Sequence, residues 1–176
     1  MNPRLGMERK IEKNYETRAL GFPVVIKEVT LRRFRDDWVA EIDWEAMMHT
    51  ALWALAHKPS PLTGNEVRFV RDYMERSLKE FAALCEVKSH QAVMNWEKKG
   101  DGFTGMQRAT EILLRAKILD VVPQYVWDRF ESKRKKPKSA VSKVLADVSR
   151  FEEKLATSLS LYSPDPSTER IEFAYL

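Results

Sequence analysis

Cysteine is nearly missing from this sequence: Cys85 stands alone. An intramolecular disulfide is therefore excluded, and so is a zinc knuckle built on paired cysteines. Long apolar runs are missing too. The longest are a few residues, far short of the roughly 18–20 that a membrane helix needs, and the stretch 1–10 lacks the apolar core of a secretory signal. No glycine-rich phosphate loop, no His-Glu-x-x-His helix and no Ser/His/Asp order occurs. His49 and His57 lie eight apart without carboxylate company, so a metal centre is not expected. Cys85 sits at an apolar position, where a small buried hydrophobe is the expectation rather than a nucleophile. An excess of one charge is also absent: 30 Lys and Arg face 26 Asp and Glu, a net +4. These absences point to a soluble cytoplasmic protein that is not an enzyme and needs no cofactor.

What is present suffices for a folded domain. The chain has 176 residues, 44% of them hydrophobic, which excludes wholesale disorder. Residues 1–21 read as a polar leader. From Phe22 the composition turns β-like, with Val24-Val25-Ile26, Val29-Thr30-Leu31 and then Trp38-Val39-Ala40-Glu41-Ile42 beyond Arg35-Asp36-Asp37. Two such runs about a polar turn predict a β-hairpin. Asp43 is placed to cap a helix whose apolar positions, Trp44, Met47, Met48, Ala51, Leu52 and Leu55, share one face. Pro59 and Pro61 end it. Residues 22–61 thus form a hairpin with a connector helix, a candidate dimerisation unit.

Four short helices are predicted across 62–122. Thr63 starts the first, with Val67, Val70 and Met74 inward. Ser77 with Glu80 forms a capping box for the second, Ser89 starts the third, and Thr104 with Gln107 forms another box for the fourth. Residues 123–138, with the run Lys133-Arg134-Lys135-Lys136-Pro137-Lys138, read as a basic linker. Residues 139–176 read as a helix and a tail, the helix carrying a short heptad seam at Val141, Val144, Val148, Phe151 and Leu155. The fold class expected is mainly α.

Helices at 77–84 and 89–97 are each below the roughly 12–15 residues at which a helix stands alone. Their shared apolar set (Leu78, Phe81, Ala82, Cys85, Val87, Val93, Trp96) must lean on the flanking helices. A compact bundle presenting one helix outward is a helix-turn-helix arrangement. If Ala92, Val93 and Trp96 face inward, then His90, Gln91, Met94, Asn95 and Lys98 face outward. Gln91 and Asn95 amides match the N6/N7 edge of adenine in a major groove, His90 can donate to a guanine acceptor, and Met94 can touch a thymine methyl. Lys88, Ser89, Lys98 and Lys99 can serve phosphates. The plainer reading of all these residues is a solvated helix face.

Phe81-Ala82-x-Leu84, Val87 and Ala92-Val93-x-x-Trp96-Glu97-x-x-Gly100, led in by Leu62-Thr63-Gly64-Asn65-Glu66-Val67, resemble the motif of the lambda-repressor/Cro-like (Xre) regulators. The wider layout is similar to MqsA-type antitoxins, without the zinc-binding cysteines, so no zinc is implied. The resemblance implies a lambda-repressor-like bundle over 62–122 and places Lys79 at the family's backbone-phosphate position. Two departures stand out: Glu86 occupies the place of the family's turn glycine, and one residue, most simply Lys88, is extra between Val87 and Val93.

Two functions follow as expectations. The first is a sequence-specific transcriptional regulator, a repressor, binding double-stranded DNA as a homodimer, with the antitoxin of a toxin–antitoxin pair and a cognate toxin partner as its narrower form. The second is a protein-interaction module, in which the hairpin, the Trp44-Met47-Met48-Trp53 connector and the last helix bind a partner protein.

Overall fold

The computed structural model describes residues 8–130 and 171–173. The chain runs β1 (Arg9–Thr17), β2 (Val24–Phe34), β3 (Asp37–Glu41), α1 (Trp44–His57), α2 (Gly64–Tyr73), α3 (Leu78–Leu84), α4 (His90–Glu97), α5 (Arg108–Val121), α6 (Gln124–Phe130) and β4 (Ile171–Phe173). The architecture of the described residues is mixed α/β, six helices on an N-terminal antiparallel sheet, which corrects the mainly α expectation.

The sheet is ordered β1-β2-β3, with β4 parallel to β2. The hairpin forms as expected around Arg35 and Asp36, with Arg35 at φ 57 and Phe34 opposite Asp37. Residues 9–17, assigned by composition to a leader, instead form β1 on the far edge of β2, in the register Lys10↔Leu31 to Thr17↔Val24. An edge strand has one solvated edge and packs lightly, so it tolerates the charges that masked the β-formers Ile11, Tyr15 and Thr17. The core-facing parity of β2 changes from Val24 and Ile26 to Val29 and Leu31. The switch falls opposite Asn14, which takes φ 54.

The buried face of the sheet and the helices share one core, including Phe22, Val24, Ile26, Leu31, Met47, Leu52, Leu62, Val67, Phe81, Val93 and Ile118. Fully burying such a side chain contributes about 1.5–3 kcal/mol. Asp43 caps α1, accepting from the Ala46 N–H at 3.0 Å. Trp44, expected inward, is 48% exposed, whereas Met47 and Trp53 lie in the core and are withdrawn from any partner surface.

The far end of α1 is held by Arg115 of α5. Its guanidinium donates to the carbonyls of Leu55, Lys58 and Ser60 at 3.1, 2.6 and 2.7 Å, and it pairs with Glu111 at 2.6 Å. A helix end leaves carbonyls without partners, and here a buried cation supplies them. Glu111 also accepts from the Leu62 N–H, 3.1 Å.

The expected Thr104–Gln107 capping box does not form. Thr104 Oγ1 accepts from the Met106 N–H instead, Gly105 takes φ 68, and α5 starts at Arg108 without a side-chain cap. The hydroxyl satisfied a local turn before it could reach a helix. The linker expected over 123–138 is also corrected in its first half: Pro123 leads into α6, which buries Val126 and sets Trp127 against Trp53. Proline suits the start of a helix, and the basic run that suggested a linker begins only at Lys133. The seam Val141, Val144, Val148, Phe151 and Leu155 lies outside the described residues; of the segment 139–176, only the strand Ile171–Phe173 is described.

Candidate nucleic-acid interface

The candidate interface is built from α3, α4 and the turn between them. α3 starts with a complete capping box: the Glu80 N–H donates to Ser77 Oγ at 3.3 Å, and the Ser77 N–H donates to Glu80 Oε2 at 2.9 Å. Hydrogen bonds from Ser77 hold the Glu80 carboxyl below its usual range. α3 ends in a Schellman motif, with the Val87 N–H bonded to the Ala82 carbonyl at 3.0 Å and the Glu86 N–H to Ala83 at 3.1 Å. Glu86 adopts φ 55, so the left-handed turn forms without the glycine that usually occupies it. Glu75 does the same after α2, at φ 52, with Arg76 N–H bonded to the Arg71 carbonyl at 3.1 Å.

Ser89 caps α4, its Oγ accepting from the Gln91 N–H at 3.1 Å. Val93 and Trp96 are buried. His90, Gln91, Asn95, Lys98 and Lys99 are exposed, as are Lys79, Lys88 and Ser89; Met94 is half-buried. Eight of the nine sequence-predicted residues therefore lie on α4 or at its two ends, with Met94 turned partly toward its own bundle, while Lys79 lies in the first turn of α3. None of Lys79, Lys88, Lys98 and Lys99 forms an ion pair among the described residues.

The groups that fix α4 were not legible as functional. Arg71 of α2 donates to Glu97 through Nε at 2.6 Å and Nη2 at 3.2 Å, and through Nη1 to the Arg76 carbonyl at 3.1 Å. Both side chains are about 15% exposed or less, and Glu97 holds the guanidinium more firmly protonated than usual. At the α4 C-terminus the Asn65 N–H donates to the Gly100 carbonyl at 2.8 Å and the Gly64 N–H to Gly102 at 3.1 Å. A Cβ on Gly64 would sit 2.4 Å from the Trp96 carbonyl oxygen. That contact explains the glycine in Leu62-Thr63-Gly64 better than any need for an unusual φ. Asp101, just beyond, takes both nitrogen–oxygen bonds of Arg18 at 2.7 and 2.8 Å and one from Asn65 at 2.9 Å, which lower its pKa.

The remaining reactive groups have local duties. His49 Nδ1 shares a 2.6 Å hydrogen bond with the Tyr125 hydroxyl, and His57 Nδ1 donates to the Trp53 carbonyl at 2.8 Å. Burial pushes the Cys85 thiol up to about 12. No helix is long and apolar enough to cross a membrane, and no metal-binding group of three or more occurs, both among the described residues. Comparisons with protein-family models, curated proteins and solved structures each returned no match.

Proposed function

We propose that this protein is a sequence-specific DNA-binding regulator in which α3 and α4 act as a helix-turn-helix and two copies read a two-fold symmetric site. The observation that carries the reading is the division of labour on α4. Its inner face and both ends are fastened by Ser89, Val93, Trp96, Glu97 and the Gly64 contact. Its outer face presents His90, Gln91 and Asn95 with no side-chain hydrogen bond to any described residue. Amides held out on a rigid helix suit direct readout of base edges, and Lys79, Lys88, Lys98 and Lys99 around them suit phosphates.

Anisotropy titrations on a selected site and on random duplex test this. Gln91→Ala and Asn95→Ala should each cost about 1–3 kcal/mol on the selected site and little on random duplex. Lys79→Ala should weaken both alike and reduce the salt slope by about one. Equal binding of the selected site by wild type and both amide variants would remove α4 as the reading helix.

A further inference from the structure

Helix α4 presents few groups able to read a base edge. Its only carboxylate, Glu97, has a side chain 14% exposed and bound to Arg71, so no acceptor is left for the N4 amino group of cytosine. No arginine lies on α4, and arginine makes the commonest guanine contact. Val93 and Trp96 are buried. Between the first residue, His90, and the C-cap, Lys98, the outward groups are the amides of Gln91 and Asn95, with the half-buried thioether of Met94 beside them. An amide holds a donor and an acceptor side by side, which complements N7 and N6 of adenine in the major groove. The thymine of the same pair presents its methyl group there. Gln91 and Asn95 are one helical turn apart, about 6 Å along the axis, against base-pair steps of about 3.4 Å. The Ser89 cap and the Gly64 contact fix α4 at its two ends without using either amide side chain.

We infer that the half-site read by α4 is centred on two A·T pairs one or two steps apart, Gln91 and Asn95 each taking an adenine and Met94 a thymine methyl. The inference rests on the DNA-reading proposal and narrows its ligand, since it names the bases where that proposal names the helix. His90 and Lys98, at the two ends, are left for flanking guanines or phosphates.

The full-length protein is used to enrich a library of randomised duplexes, and the enriched half-site is rebuilt with single-group changes. Replacing a central adenine by 7-deazaadenine removes the N7 acceptor and should weaken wild type roughly 2- to 10-fold. Gln91→Ala should be blind to that change at one adenine and Asn95→Ala at the other. Replacing the paired thymine by uracil removes the methyl group and should cost wild type up to about 4-fold, and Met94→Ala nothing further. Thermal unfolding near wild type for the three variants shows that α4 keeps its place. Enrichment of G·C at the positions the amide variants relax, or amide variants as sensitive to 7-deazaadenine as wild type, overturns the adenine assignment and leaves DNA reading standing. A chain that enriches no sequence overturns both.

Discussion

Replacing Gly64 by alanine tests how closely α2 and α4 approach. The added Cβ would lie 2.4 Å from Trp96 O, 2.8 Å from Gly100 N and 2.9 Å from Glu97 O. All three atoms are backbone, so no side chain can swing aside. Ordinary contact begins near 3.4 Å, so the Trp96 carbonyl would have to retreat by about 1 Å. Overpacking of this kind costs about 1–3 kcal/mol. The shift also stretches the Asn65–Gly100 and Gly64–Gly102 backbone bonds, each worth about 1 kcal/mol net. Alanine's better helix propensity returns something under about 1 kcal/mol. The expected loss is about 3 kcal/mol, a fall of roughly 6–12 °C in Tm for a chain of this size. Gly100→Ala is the control: Gly100 has φ 57 and nothing within 4 Å of its added Cβ, so only the left-handed conformation is penalised, about 1 kcal/mol after the unfolded-state gain. Thermal and urea unfolding followed by circular dichroism measure both. If Gly64→Ala is no more destabilising than Gly100→Ala, the tight α2–α4 approach is wrong.

Arg115→Met should cost about 3–5 kcal/mol by urea denaturation, because it strands the carboxylate of Glu111 and the carbonyls at the end of α1; a loss below about 1 kcal/mol would mean those carbonyls are satisfied otherwise. Glu86→Gly should stabilise by about 0.5–1 kcal/mol, since it relieves a left-handed glutamate and removes a negative charge from the C-terminal end of α3; a lowered Tm would contradict the φ of 55 at this position. Arg18, then Asn65, depress the Asp101 pKa, so the stability this carboxylate adds is present above about pH 4 and is lost as pH falls through its lower folded value. Asp101→Asn should therefore narrow the difference in unfolding free energy, measured by urea denaturation, between neutral and acid pH, by no more than about 1 kcal/mol for so exposed a pair.

Helix starts were legible because their chemistry is local. Ser77 with Glu80, Thr63 ahead of α2, Ser89 and Asp43 each carry an oxygen within reach of the next free N–H groups, and all four bonds form. Thr104 carries the same local pattern and fails, since Gly105 lets the chain turn before a helix can begin. Strand β1 could not be read from its own residues: its strand character depends on the long free edge of β2, whose partner residues lie 7 to 23 positions away in sequence, from Thr17↔Val24 to Arg9↔Arg32. α6 was hidden by the charge of the run that follows it. The anchors Arg71–Glu97 and Arg115–Glu111 looked like ordinary helix-surface charges, because the sequence gives no sign of which charges the tertiary packing will enclose.

The same anchors bear on how the exposed face of α4 can vary. An eight-residue helix has too few internal hydrogen bonds to persist unaided, so its position must come from contacts outside the face that would meet DNA. Here those contacts are the Ser89 cap before it, Val93 and Trp96 beneath it, the Arg71–Glu97 pair at its last turn and the Gly64–Trp96 approach beside it. His90, Gln91 and Asn95 take part in none of them. Their side chains can therefore change with little effect on stability while the helix keeps its place, whereas a change at Glu97 or Gly64 moves the whole face without altering any group on it. Loss of binding by the first route would leave Tm near wild type; by the second, binding and Tm would fall together.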